Sequence, residues 1–278
     1  KPWWNKINKV LWTTLDSLPI LDQALQMEPE CDKMLVWASF AEEAMKKLGH
    51  KNVETLHGAV DYSNFKPLDN RDEIRKKFNL QDQYVIGYVF KNQLRKSVPN
   101  LLQGFKIFKE KNPDIKAKLL LHTDWGERGW DIPRYVKEMD LNPEDILATY
   151  VCHACNFYHV GPYQGEDKDC PKCKKEKSFK TKTSSKGVGE KQLNEIYNCM
   201  DVYCHPFTSG GQELPIQEAK AAGLITLVTE YSCGTDSCYE HQGGIPLNWN
   251  EYREPQTQFI KASTCPHDIS SKLARVYH

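Results

Sequence analysis

Two groups of residues in this chain have the types and spacing to do chemistry. Cys152 and Cys155 form one Cys-x-x-Cys knuckle and Cys170 and Cys173 a second, with fourteen residues between them. Each knuckle offers two thiolates on one tight turn, so the four read as a tetrahedral, structural zinc site that leaves no open position for water. Two disulfides are the alternative. The second group lies in residues 209–229, SGGQELPIQEAKAAGLITLVT. Gly210 and Gly211 supply a flexible loop, Pro215 suits the first helical position, and Gly223 suits the residue just past the helix end. A helix start of this kind attracts phosphate or another anion. Glu218, about one turn in, can accept hydrogen bonds from a neutral diol such as ribose. A plain helix–strand unit with a solvated glutamate fits the same residues.

Such groups need elements to hold them. Apolar runs predict strands at 9–14, 34–37, 53–56, 84–90, 117–122, 146–150, 201–205 and 224–228. Helical periodicity predicts helices at 40–48, 71–78, 99–109, 132–139 and 191–199, the first capped by Ser39 and stopped by Gly49. Strict alternation of the two predicts an α/β protein with a parallel sheet covered on both faces. Residues 57–83 are rich in turn formers (HGAVD, FKP) and then charged, and read as a linker between a unit at 1–56 and a unit at 84–278. The cysteine knuckles break in after the strand at 146–150, which makes 151–182 an insertion.

Composition narrows the possibilities. At 278 residues the chain is long enough for two ordinary domains. Thirty-seven basic residues balance thirty-seven acidic ones, so no global field draws it to nucleic acid or membrane. Mean hydropathy is −0.64 and no apolar run reaches the length of a membrane-spanning helix. The chain begins at Lys1 without a signal-peptide layout and reads as starting inside a longer polypeptide. A thiolate zinc site argues for a reducing compartment, the cytoplasm.

Several separated motifs fall in one order. HGAVDYSNFKP, GYVFKNQLRKSVPNLLQGF and DVYCHPFTSGGQELPIQEAKAAGLITLV together resemble the interdomain, phosphate-loop and donor-binding segments of the family 4 glycosyltransferases, retaining enzymes of GT-B type that use nucleotide-sugar donors. The resemblance covers most of residues 34–228 and implies two Rossmann-like domains with parallel sheets, 1–56 being the end of the N-terminal, acceptor-binding one and 84–278 the donor-binding one. The zinc ribbon is not a general family feature, and the overall flavour is that of a viral or phage-like branch, which would place the protein in host cytoplasm. Lys91 and Lys96 match the family's basic pair, with Arg95 beside them, and would hold the departing diphosphate as its negative charge grows. Glu218 matches the ribose-binding glutamate. Eight positions before it the family has a second glutamate near the donor sugar, whereas this chain has Gly210; Glu213 stands where glycine is usual. Glu213 with Gly210 and Gly211 would then meet the sugar end, Gln212, Leu214 and Pro215 would complete the donor-binding set, and Lys91, Lys96 and Glu213 would be the catalytic set.

Other residues admit two readings. Lysines crowd residues 168–191, and with Phe157, Tyr158 and Tyr163 they could hold an anionic acceptor such as nucleic acid, or simply form a solvated basic hairpin. On the first reading the protein is a nucleic-acid-binding module with a degenerate transferase domain, or a transferase acting on DNA bases. Trp3, Trp4 and Trp12 fit an acceptor site or a core. Thr123 and Asp124 end a strand on the edge where ligands bind, Cys233 and Cys238 read as free thiols, and His205 as a packed strand-end residue.

Overall fold

The computed structural model describes residues 3–181 and 186–278; Lys1 and Lys182, at the outer limits of the N-terminal unit and of the ribbon, lie outside them. In chain order the elements are β1 (Val10–Thr13), α1 (Asp22–Met27), β2 (Lys33–Val36), α2 (Ser39–Lys47), β3 (Val53–Thr55), α3 (Arg71–Lys77), β4 (Tyr84–Val89), α4 (Val98–Lys111), β5 (Ala117–His122), α5 (Ile132–Glu138) and β6 (Ile146–Cys152). There follow β7 (Tyr158–Pro162), β8 (Phe179–Thr181), α6 (Glu190–Asn198), β9 (Val202–His205), α7 (Leu214–Ala221), β10 (Ile225–Thr229), β11 (Gly244–Leu247), β12 (Trp249–Arg253), β13 (Ile260–Thr264) and α8 (Pro266–Tyr277).

β1, β2 and β3 form a small parallel sheet in that order. The larger sheet runs β11-β10-β9-β4-β5-β6-β7, with β8 also pairing β6. From β11 to β6 every pairing is parallel, whereas β7 and β8 run antiparallel to β6. β4 (YVIGYV) and β6 (ILATYVC) are buried at every position, as strands must be when helices cover both faces. Each sheet has its own core. Leu15, Met34, Val36, Met45 and Val53 belong to one, and Ile86, Leu101, Phe105, Leu120 and Phe207 to the other.

The chain order reverses between β4 and β9, neighbours whose connections leave in opposite directions along the sheet. In a doubly wound sheet the loops diverging at such a point open a crevice at the strands' carboxyl ends, where ligands bind. Here those are the loop 90–97 after β4 and the loop 206–213 after β9.

The segment 57–83 is not a loose tether. Phe65, Ile74, Phe78 and Leu80 join the larger core, and the buried guanidinium of Arg75 donates to Cys199 O (2.6 Å), Leu80 O (2.8 Å) and Gln83 O (2.6 Å). Two further details differ from expectation. Ser39 does not cap α2; it is the first helical residue, and its N–H donates 2.9 Å to Asp236 of the other unit, whose second carboxylate oxygen accepts from Ser39 Oγ. Pro215 is the second residue of α7, not the first, because Leu214 already has helical geometry. The antiparallel pair β12–β13 has no counterpart among the predicted strands, since its residues (WNEYR, IKAST) are largely polar or charged and carry no apolar run.

Candidate active site

Glu213 is the residue around which the crevice is organised. It ends the 206–213 loop, just before α7, and is 5% exposed. Burying one carboxylate without partners costs several kcal/mol, of order 3–5; this one has two cations. Arg95 Nη1 and Lys96 Nζ each donate to a different oxygen of Glu213. Both come from the short turn at Leu94–Lys96 after β4, so the ion cluster ties together the two loops that diverge at the switch point. His205, the fully buried last residue of β9, brings Nε2 to 3.3 Å from Glu213 Oε2, an approach without hydrogen-bond alignment. Its Nδ1 lies 2.9 Å from Tyr203 Oη.

The electrostatics follow from that geometry. Burial pushes the Glu213 carboxyl upward, but attraction to Lys96, contact with His205 and attraction to Arg95 outweigh it and hold the group well below the usual carboxylate range. Burial pulls His205 down to about 4, so the ring is neutral near pH 7. Two cations facing one carboxylate leave a net positive charge at the base of the crevice.

Gly210 explains how this carboxylate fits. A Cβ at that position would lie 2.8 Å from Glu213 Oε1 and 3.3 Å from Arg95 Nη1. The position that would carry a glutamate in the resembling family is therefore empty because the Glu213 side chain occupies the same volume. Gly211 is equally constrained, since its Cβ would meet Thr14 at 2.4 Å and Asp16 Oδ1 at 2.6 Å. Gly210 N donates to Ser232 Oγ (3.0 Å), which fixes the loop from behind.

Gln212 reaches across to the small-sheet side. Gly58 N donates to Gln212 Oε1 (2.9 Å), and Gln212 Nε2 donates to Gly58 O (3.2 Å). Together with Trp37, His57, Tyr62, Ile216, Gln217 and Asp236, these residues and Glu213 line a cleft of about 260 Å³. Glu218 stands on α7, half-buried, and accepts from the fully buried Tyr197 hydroxyl at 2.7 Å. Leu214 and Pro215 form the first turn of the same helix, with Leu214 partly exposed.

Lys91 is placed apart from Arg95 and Lys96. Its side chain is 57% exposed and pairs with Glu127 at 3.3 Å. Glu127 belongs to the loop after β5, which also carries Asp124, bonded to its own Gly126 N, and Thr123, fully buried at the strand end. Lys261 was invisible to sequence reasoning because it sits in the unpredicted β13. It is 8% exposed and donates 2.7 Å bonds to both Ser17 Oγ and Ser209 Oγ, which joins the loop after β1 to the loop after β9.

The four knuckle cysteines converge. Their sulfurs all lie within 4.8 Å of one another, with Cys152 and Cys173 at 3.6 Å and Cys155 and Cys170 at 3.7 Å. Sulfurs about 2.3 Å from a tetrahedral zinc would be about 3.8 Å apart, so the set fits that ion. Ala154 N and Cys155 N point to Cys152 Sγ (3.3 and 3.4 Å) and Cys173 N to Cys170 Sγ (3.4 Å), as thiolates in a knuckle require. All ten cysteines are free of disulfides.

The ribbon's aromatic rings face inward. Phe157 stacks on Phe179, Tyr158 donates to Glu195, and Tyr163 stacks on Trp125, so none is a free platform for a base. Trp12 lies on the other unit, 46% exposed and stacked on Trp37 at 4.5 Å; Trp3 is also exposed, and neither is a core residue. Among the described residues no helix is long and apolar enough to cross a membrane.

No protein-family model and no curated protein matches the sequence. Solved structures do. HepE from Anabaena, solved in complex with UDP, superposes with a TM-score of 0.65 at 10% identity, covering 98% of this chain and 63% of that one. Sucrose-phosphate synthase from Thermosynechococcus elongatus gives 0.59 at 13% identity (93% and 53%), and TarM, from S. aureus in a complex with UDP, gives 0.60 at 10% identity (98% and 44%). The chain thus spans between 44% and 63% of the length of these proteins. Two sheets facing one cleft, a switch point at β4 and β9 and these superpositions establish the architecture as the GT-B glycosyltransferase fold, with a four-cysteine ribbon set into its larger sheet.

Proposed function

We propose that the protein is a glycosyltransferase that takes a sugar from a nucleotide-sugar donor, with retention of configuration, as in family 4. The observation that carries this reading is the Arg95–Glu213–Lys96 cluster, its Glu213 and Lys96 buried, at the switch point immediately before the N-terminus of α7. An anion-binding helix start above one buried and one partly exposed cation suits a diphosphate, and Glu218 further along that helix suits a ribose diol. HepE and TarM were solved with UDP, which makes UDP the first nucleotide to test.

Each residue has a derivable task. Breaking the bond between sugar and diphosphate leaves growing negative charge on the leaving group, and fixed cations stabilise it without reorganising. Lys96 is nearly fully buried, and burial, with Arg95 beside it, holds its ammonium below the ordinary lysine value; the Glu213 carboxylate works against that and favours the charged form. Glu213 thereby favours the charged form of Lys96 and holds the always-charged Arg95 in place, and its remaining lone pairs can accept a hydroxyl of the donor sugar. Tyr197 orients Glu218, and the Gln212–Gly58 clasp holds the small sheet against the donor loop. The four thiolates would hold zinc structurally, outside the reaction.

Calorimetric titration with UDP, GDP and ADP tests the reading. UDP should bind, and Glu218→Ala should weaken it about tenfold, the worth of one charge-assisted hydrogen bond. Binding by none of the three, or unchanged affinity in the variant, would remove the site assignment. Release of UDP from UDP-glucose by the purified protein tests the chemistry itself.

A further inference from the structure

The ribbon and the donor loop are joined at one residue, Trp125, whose backbone N–H and buried ring both meet the ribbon. β8 has only three residues, and among the described residues it is held by its pairing to β6 and a bridge between Lys168 and Phe179. So short a strand has little hold of its own on a sheet edge. What fixes it is the knuckle: Phe179 lies opposite Cys152, and Ser178 bonds to both Cys152 Sγ (3.3 Å) and His153 N (2.8 Å). At the far end of β8, Thr181 Oγ1 donates to Glu166 (2.7 Å) and accepts from Trp125 N (3.2 Å). The Trp125 ring, 6% exposed, stacks on Tyr163 at 4.0 Å and 9°.

Trp125 opens the loop that clasps the donor loop. Trp130 Nε1 donates to Leu94 O (3.0 Å), and Trp130 N and O bond with the buried Asn92 side chain (2.9 and 3.0 Å). Gly129 lies so close that a Cβ would be 2.3 Å from Asn92 O, and Glu127 pairs with Lys91. The metal site, β8 and Trp125 are therefore in contact, and the chain from Trp125 to Trp130 carries the connection to the loop bearing Lys91, Arg95 and Lys96.

We infer that Trp125 is a positioning residue through which the metal-bound ribbon sets the conformation of the 91–96 donor loop, so that nucleotide affinity depends on the metal although the metal never meets the nucleotide. This rests on the proposed donor site and on zinc as the ribbon's ion.

The test compares zinc-loaded wild type, wild type stripped by chelation, and zinc-loaded Trp125→Ala and Trp125→Phe, by amide hydrogen exchange and UDP calorimetry, with metal content measured for each. Stripping should speed exchange across residues 91–97 about tenfold while β10 stays protected, and should weaken UDP about tenfold, a coupling of the size relayed through intervening packed residues. Trp125→Ala, which keeps the N–H to Thr181 but removes the ring stacked on Tyr163, should reproduce part of both effects with zinc content unchanged, and Trp125→Phe, which keeps a stacking ring, should restore most of that loss. Unchanged exchange at 91–97 after stripping, or in zinc-loaded Trp125→Ala, overturns the inference. Should the alanine variant not fold, stripped wild type and Trp125→Phe still decide it. Failure of wild type to bind UDP would instead sink the donor-site reading, while the exchange comparison continues to decide the coupling.

Discussion

The carboxylate of Glu213 occupies the space that a side chain on Gly210 would need, with Oε1 2.8 Å from the position of a Cβ there. One anionic group, not two, fits between Arg95 and Lys96, and this chain supplies it from three residues further along the loop. Gly210→Ala should therefore cost about 1–3 kcal/mol, because the added methyl meets an ion pair that cannot move aside. Gly210→Glu alone should be worse. The double variant Gly210→Glu with Glu213→Gly should recover stability and UDP binding, measured by urea unfolding and calorimetry. A double variant less stable than either single one would show that the two positions do not share a site.

Lys91 and Lys96 should separate cleanly. Lys96→Ala leaves a buried carboxylate short of one partner and should lose about 3 kcal/mol of stability. Lys91 is exposed on a loop, so Lys91→Ala should leave unfolding within about 0.5 kcal/mol of wild type while weakening UDP, more at low salt than at high. Equal UDP affinity in the Lys91 variant at low salt would exclude that lysine from the donor site.

The clasp between Gln212 and Gly58 predicts an asymmetry. Gly58→Ala places a Cβ 2.5 Å from Gln212 Oε1 and 2.6 Å from the Trp37 ring, and should destabilise by about 1–3 kcal/mol. Gln212→Ala removes two hydrogen bonds without a clash and should cost less, about 1 kcal/mol, with faster amide exchange at Gly58. If Gly58→Ala were the milder change, the cleft would not be closed by this contact.

His205 should give the protein an acid-side slope. Its folded value is about 4 against an ordinary 6.5, so between these values the unfolded chain takes up a proton that the folded chain refuses. Stability contributed by the neutral ring is complete above 6.5 and is lost as pH falls toward 4, about 3 kcal/mol in all. Glu213, also depressed, acts in the same direction only below about its usual 4.5. Urea unfolding of His205→Phe should thus show a flatter dependence between pH 6.5 and 4.5 than wild type; an equal slope would refute the assignment.

Much of this molecule was legible in order along the chain. The apolar runs that became β4, β5, β9 and β10 are continuous because parallel strands are buried on both faces, and local patterning records that burial directly. Gly49 and Gly223 both adopt positive φ at helix ends, as their positions required. The knuckle spacing likewise put four thiols on two turns, and local geometry alone nearly completes the site. Polar strands were not legible. β12 is almost wholly exposed, and the residues β13 buries (Lys261, Ala262, Thr264) are polar or small, so neither carries an apolar signal, and Lys261 stayed hidden with them.

What only the tertiary structure decided is which groups meet. Sequence set Arg95 and Lys96 beside Lys91 and left Glu213 as an anomaly; folding sent Lys91 outward and joined the other three residues across more than a hundred positions of chain. It turned the ribbon's aromatic rings inward, where stacking and burial outweigh solvent exposure, and it used Asp236 to bind the start of α2, a task local sequence had given to Ser39. Spacing along a chain fixes turns, helix ends and metal knuckles because those contacts are local. A buried ion cluster is set by which loops diverge at the switch of strand order, and that order exists only once the sheet has formed.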